Sequence, residues 1–269
     1  MTSDAPAAPA AVQRWTERRD AYRPAGEPID ARRYGVEIVE ERDARPFVER
    51  HHYSASFPAA RLSVGLFRAG EGLVGTAVFA VPTSNAIAQR RAGVAAAAAV
   101  VLGRFVLRDD VEANGETWFL ARAFRELRQA LPEVQAVVSY SDPLARSTAA
   151  GAVVMPGHVG TIYQAFNATY LGRTRPERLV LRQDGRSVAA RTLSKLRNDE
   201  RGAEGAYRQL VQAGAPRRVL GESGPAYVER ALACGAFRAL RHPGQHVYGW
   251  ALDPGVALAR VGPYPKRAA

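Results

Sequence analysis

The 269-residue chain has one cysteine and two methionines, and its 37 basic residues include only two lysines, Lys195 and Lys266. A lone Cys234 excludes an internal disulfide framework and any zinc site built from several cysteines. Its plain reading is a small core residue on a helix. No apolar run approaches the roughly 18–20 residues needed to span a bilayer, and the Ala-rich stretch from Gly93 to Leu102 falls far short. The first residues are rich in Ala, Pro and charge, with no apolar core of a signal peptide. These absences predict a cytoplasmic protein without a membrane partner, opening on a disordered arm over 1–30. Nucleotide-binding glycine loops and a locally spaced Ser-His-Asp set are missing too. His51 and His52 are adjacent and so point apart, and His158 is distant, so no metal is expected.

What the chain has in excess is arginine. With 37 Lys+Arg against 26 Asp+Glu, the formal charge is +11. An excess of this size favours a polyanionic partner, because neutralised phosphates release counterions; an Arg-rich compositional bias is the bland alternative. Hydrophobic residues make up 47% of the chain, enough for a sizeable core. One domain over 31–262 with a short tail, 263–269, is the expected organisation.

The clearest local pattern lies between Leu102 and Asp142. A strand (LGRFVL), a polar turn (RDDVEANGE), a helix from Thr117 and a second strand (VQAVVSYSD) follow in order. Leu120, Ala123, Phe124, Leu127 and Leu131 form the stripe of a half-buried helix, which Pro132 ends. Such a turn and helix start aim N–H groups beside the first strand, and the second strand delivers Ser139, Tyr140, Ser141 and Asp142 to its carboxyl end.

Elsewhere, YGVEIVE (34–40) reads as a strand and DARPFVERHHYS (43–54) as a short helix. RLSVGLFR and GLVGTAVFAV read as a hairpin joined by Ala-Gly-Glu-Gly. Residues 85–100 read as helical and 161–170 as a helix. YLGRT with ERLVLRQ reads as another hairpin, and HVYGWAL as a closing strand. The result is an α+β (mixed α/β) fold, a mostly antiparallel central sheet flanked by helices. The segment 182–201 changes character: Arg186, Arg191, Lys195 and Arg197 interleave with hydroxyls, while Leu193 and Leu196 take another helical face. Phosphate contact and a solvated helix face both fit this pattern.

This element order resembles the GNAT acyltransferase superfamily. Within it, HHYS (51–54), LGRFVL (102–107), SYSDP (139–143), HVGTIYQA (158–165), YLGRT (170–174) and ARTLSKLRN (190–198) are similar to the Mom family of phage DNA-modification proteins. The resemblance implies a GNAT-like fold and a transferase that attaches a carbamoylmethyl group to the exocyclic amine of adenine, protecting DNA from restriction. It implies double-stranded DNA and a small-molecule donor as partners. An acyl-CoA-like donor fits poorly, since the stretch Arg108–Gly115 carries one glycine and three acids where a pyrophosphate loop should be. A conventional GNAT acetyltransferase and a non-enzymatic DNA-binding protein are the competing readings.

On this footing Asp142 is the candidate base for the weakly nucleophilic adenine amine, though an Asp before Pro143 also suits a plain turn. Tyr53 and Tyr163 are candidate walls of a base pocket, or ordinary half-buried aromatics. Arg104, a charge inside an apolar strand, should face a ligand, a phosphate or Asp142. Thr117 and Gly115, with Arg104, are the candidate donor-binding residues, although Thr117 also suits a helix cap. Arg186, Arg191, Lys195, Arg197 and His52 are the candidate DNA contacts.

Overall fold

The computed structural model describes residues 11–14, 21–24, 26–82 and 85–266. Strands β1 (Ala11–Arg14) and β2 (Ala21–Pro24) pair as a short antiparallel ribbon within the segment expected to be disordered. The rest of that segment before Gly26 lies outside the described residues. Then follow β3 (Tyr34–Ile38), α1 (Glu41–His51), β4 (Ala60–Arg68), β5 (Gly72–Ala80), α2 (Asn85–Ala92), β6 (Ala99–Leu107), α3 (Gly115–Ala130), β7 (Ala136–Ser141), β8 (Arg146–Ser147) and β9 (Val153–Met155). Next come α4 (Thr161–Ala165), β10 (Thr169–Arg173), β11 (Glu177–Arg182), β12 (Ser187–Val188), α5 (Ala190–Arg197), α6 (Ala203–Gln212), α7 (Gly224–Ala233), β13 (Phe237–His242) and β14 (His246–Ala251).

The single domain read from the sequence is instead two units. The first holds residues up to Pro143, Gly157–Thr174 and Gln245 onward; the second holds Leu144–Pro156 and Arg175–Gly244. Unit 1 contains a seven-stranded sheet in the order β3-β4-β5-β6-β7-β14-β10. Its strands are apolar on both faces because helices cover both. Leu66, Val74 and Phe79 pack with Phe119, Leu120 and Phe124 of α3, while Val78 and Val106 pack with Val48 of α1. Each such fully buried side chain contributes about 1.5–3 kcal/mol. The expected α3 stripe is in place from Leu120 to Leu127, joined by Phe119.

Every pairing in this sheet is antiparallel except β6 with β7. Those two run parallel and pair only from Ala99–Ala136 to Val101–Val138; beyond, β6 stays on β5 and β7 stays on β14. The strands therefore part toward their carboxyl ends. Ser139 Oγ donates to the Leu102 carbonyl (3.0 Å) across the opening. A bulge sets the start of the parted segment: Phe79 pairs with Leu102 and Val78 with Arg104, skipping Gly103. A Cβ at Gly103 would lie 3.3 Å from Ala80 Cβ and 3.4 Å from Pro58 Cγ. The extra residue re-aims Arg104.

Unit 2 has a three-stranded sheet, β12-β11-β13, over which α5, α6 and α7 bury Leu193, Leu196, Leu210, Tyr227 and Val228. Other readings need correction here. The segment 85–100 is not one helix, since α2 ends at Ala92 and β6 begins at Ala99. YLGRT and ERLVLRQ are not a hairpin: β10 pairs with β14 in unit 1, and β11 with β12 and β13 in unit 2. The helix from Thr161 stops at Ala165, with Asn167 in the left-handed region (φ 54°). Cys234 is exposed at the C-cap of α7, not in the core. The expected tail is tethered where described: Tyr264 Oη donates to Ala168 O (2.6 Å) and Gln164 Nε2 to Pro265 O (3.1 Å).

Candidate functional site

At the carboxyl ends of the parted strands, unit 1 gathers most of the residues singled out for chemistry. Asp142 follows the last residue of β7 and is buried at 4% exposure. Its backbone carbonyl accepts the His158 N–H (2.7 Å), and His158 Nε2 lies 3.4 Å from Tyr53 Oη, with the two rings edge to face. Tyr163, on α4, lies within electrostatic reach of Ser139 of β7 and of Arg104. Burial disfavours the Arg104 charge, and Tyr53 and Tyr163 lie within its electrostatic reach. Asp142, Tyr53, Tyr163 and Arg104, scattered over more than a hundred residues, thus meet in one place.

Burial decides the protonation states. It pulls His158 down to about 4, with the nearby His246 adding to the effect, so the ring is neutral at pH 7. His52 is lowered well below the ordinary value by burial, then by Arg104 and His158. Ser54 N–H donates to His52 Nδ1 (3.1 Å), which leaves the ring proton on Nε2. Tyr163 is raised by burial, against the pull of Ser139 and Arg104, and keeps its proton. A neutral, buried His52, its ring tilted against that of Tyr53 with centroids 4.2 Å apart, belongs to this cluster rather than to an exposed face.

Gly160 shapes the other wall. It caps α4 with φ 76°, and a Cβ there would lie 2.7 Å from Tyr248 and 3.0 Å from Tyr163. Only glycine allows α4 to settle on Tyr248 and present Tyr163. Of the three partners expected for Arg104, a ligand, a phosphate or Asp142, the last is not found. Arg104 donates from Nε to Ser56 O (2.8 Å), from Nη2 to Ser56 Oγ (2.9 Å) and from Nη1 to Gly103 O. The bulge turns it toward the 54–58 loop.

Beside this cluster a cavity of about 620 Å³ opens between β6 and the end of α2. Tyr53 and Arg104 line it, together with Arg90, Arg91 and Tyr140, which the sequence reading left without a role. The signal available was the Arg90-Arg91 pair inside an Ala-rich segment.

The sequence profile of the Mom protein family matches residues 33–218, more than half of the chain. The chain belongs to the Mom family. Membership of that family points to DNA modification. No curated protein matches the chain. Among solved structures it is similar to a tandem GNAT protein from the clavulanic acid biosynthesis pathway (without AcCoA). That likeness has 10% identity, covers 82% of this chain and 99% of that one, and has a TM-score of 0.41.

The turn before α3 shows how far an acyl-CoA fits this Mom-family chain. Arg108 N–H donates to Val74 O, Val111 N–H to Arg108 O, Ala113 N–H to Glu27 O and Gly115 N–H to Glu112 O. Donors that a pyrophosphate would need are therefore engaged by the protein's own carbonyls. The acids of the turn are held as well, Asp110 by Arg68 (2.9 Å) and by Arg108, Glu112 by Tyr34 and Arg33. The turn does not fit a pyrophosphate. Thr117 Oγ1 donates back to Asn114 O (3.2 Å), and the cap position is Asn114 in the left-handed region, so Thr117 is neither a cap nor aimed at a ligand. Gly115 is buried.

The excess charge of the Mom-family chain is concentrated in unit 2. Its two segments hold 15 of the 37 Arg and Lys and 7 of the 26 Asp and Glu, a net +8 of the chain's +11. On α5, Leu193 and Leu196 are buried as expected, and Arg191 and Arg197 are exposed, as is Arg186 before it. Arg191, however, pairs with Glu200. Sequence reading missed a second cationic spot: Arg178 of β11 and Arg241 of β13 stand directly opposite in the ladder, both exposed.

Proposed function

We propose that the protein modifies adenine in DNA, attaching a carbamoylmethyl-type group to the exocyclic amine of an extruded base. The observation that carries this reading is the buried Asp142 just after β7, beside Tyr53 and the neutral His158 and Tyr163, where β6 and β7 part. The adenine amine is a weak nucleophile because its lone pair is delocalised into the ring. A carboxylate accepting one of its N–H groups returns electron density to nitrogen. As the new N–C bond forms, Asp142 takes that proton and the leaving group departs from the donor carbon. Tyr53 and Tyr163 wall the base, and Tyr163, protonated at neutral pH, is available as a donor to a ring nitrogen.

A paired adenine hides this amine, so the base leaves the stack at a cost of about a few kcal/mol. The exposed cations of unit 2, Arg178, Arg186, Arg197 and Arg241 among them, dock the duplex through its backbone, which positions the protein without reading sequence. The conventional acetyltransferase reading is disfavoured by the engaged N–H groups of the turn before α3.

The test is nucleoside mass spectrometry of DNA from cells expressing the protein or its Asp142→Asn variant, with duplex binding measured alongside. Modified adenine should appear with the native protein and vanish with Asp142→Asn, duplex affinity staying within about twofold. Native-level modification by the variant would sink the assignment of the base. Unmodified DNA in both samples would sink the proposed reaction.

A further inference from the structure

The cavity beside β6 has a charge imbalance that the proposed reaction leaves unused. Its lining includes Arg90, Arg91 and Arg104 and no Asp or Glu. Two of these arginines are fixed in place by neutral groups. Arg91 donates from Nη1 to Leu171 O (3.0 Å) and from Nη2 to Arg173 O (3.1 Å). Arg104 is held by Ser56 and Gly103. Carbonyls and a hydroxyl orient a guanidinium without cancelling its charge. A guanidinium has five N–H donors, so three remain on Arg91 and two on Arg104 after these bonds. Both side chains are half-buried, where a cation without a counter-charge is costly. Arg90, one residue away, is exposed at the rim.

We infer that this cavity is a phosphate site, and that Arg90, Arg91 and Arg104 hold the backbone phosphate attached to the extruded adenine nucleotide. The inference rests on the reading of the protein as a DNA-adenine transferase. A volume of about 620 Å³ suits a nucleotide-sized ligand. Tyr53 lines the cavity and also reaches His158, so it is the residue shared by the phosphate site and the base site. Arg104 sits at the same junction, its charge facing Tyr53 and Tyr163. On the far side Tyr140 is kept protonated by burial and adds a neutral, hydrogen-bonding wall. Thr174 and Gln245 close the lip through reciprocal bonds, Thr174 N–H to Gln245 O (2.9 Å) and Gln245 N–H to Thr174 Oγ1 (2.8 Å). A phosphate could instead arrive on the donor molecule. The DNA source is preferred because the exposed Arg90 opens the cationic wall toward a continuing strand.

The test uses calorimetry on the full chain with deoxyadenosine 5′-monophosphate, deoxyadenosine, and adenosine 3′,5′-bisphosphate as a donor-type phosphate. The monophosphate should bind about tenfold or more tighter than the nucleoside, the scale of one charge-assisted contact. Arg91→Gln should bring the two within twofold, and Arg90→Gln, whose side chain is exposed, should lower the ratio without touching the fold. A duplex carrying a mispaired adenine should compete with the monophosphate. Equal binding of nucleotide and nucleoside by native protein would overturn the phosphate site even if DNA modification is observed. Tight bisphosphate binding that the mispaired duplex does not displace would assign the phosphate to the donor and overturn the DNA source. Absent DNA modification with the tenfold preference intact would remove the transferase reading and leave the phosphate site standing.

Discussion

Arg178 and Arg241 face each other across β11 and β13, and both are exposed. Like charges directly opposite in an antiparallel ladder are destabilising, on the order of 0.2–1 kcal/mol before screening. On the proposed reading, a DNA phosphate offsets this repulsion in the complex. Replacing both with Gln should therefore leave the urea midpoint unchanged or raise stability by up to about 1 kcal/mol. Each arginine that neutralises a phosphate contributes about 0.9 to the slope of log K against log salt, so the pair should flatten it by about 1.8. Over a fourfold rise in salt the native protein should lose roughly twelvefold more affinity than the variant. Arg191→Ala should flatten the slope by less than about one unit, because Glu200 already pairs with that side chain. Fluorescence anisotropy of a labelled duplex over a salt series, with urea unfolding in parallel, measures both quantities. An unchanged slope at unchanged stability would refute the docking role, and a fall in stability would refute the account of like-charge strain.

Acid should unfold the protein through its histidines. His158 and His246 are both depressed to about 4, chiefly by burial, while an unfolded histidine titrates near 6.5. Below about 6.5 the unfolded chain takes up protons that the folded chain refuses. Their stabilisation is thus complete above that pH and is lost as pH falls toward 4, by about 2–3 kcal/mol for each histidine. Urea midpoints between pH 7 and 4.5 that stay flat would count against it, and His158→Gln should remove part of the fall. Gly160→Ala should cost at least about 1–3 kcal/mol and disturb Tyr163, whereas Gly93→Ala, also at positive φ (68°) but with nothing within 4 Å, should cost less. Equal losses at the two glycines would show that packing on Tyr248 adds nothing. Acetyl-CoA should bind weakly in calorimetry, because the turn before α3 has its donors engaged; low-micromolar binding would restore the acetyltransferase reading.

Much of unit 1 was legible because periodicity and turn chemistry are local. The α3 stripe and the Ala-Gly-Glu-Gly hairpin, with Gly70 and Gly72 at positive φ, follow from neighbours in sequence. Alanine misled, since it suits a helix and a strand equally: Ala99 was assigned to a helix but pairs with Ala136 in the parallel ladder. YLGRT and ERLVLRQ imitated a hairpin because only Arg175-Pro176 follow Thr174 before Glu177. The partner of β10 is instead β14, more than seventy residues on, with unit 2 inserted between them. Unit 2 is assembled from two separate segments, and the change of character at 182–201 falls inside the second of them rather than at its boundary.

The site was legible by residue type and less so by partner. Asp142, Tyr53 and Tyr163 stand together, but Arg104, for which Asp142 was one of three expected partners, is anchored by Ser56, 48 residues earlier. Arg91 was invisible as a site residue because its anchors, the Leu171 and Arg173 carbonyls, lie about eighty residues away. Net charge shows the same limit. A total of +11 points to a polyanion, yet it does not say that unit 2 holds +8 of it on mostly exposed side chains. The few cations around the unit 1 cavity contribute little to that total. Arg91 and Arg104 are positioned by neutral groups in a half-buried setting, where one charge acts more strongly on a ligand than several screened ones at the surface. Composition thus reports a cationic surface, and only the ladder register and the long-range hydrogen bonds locate the charges proposed to grip a single nucleotide.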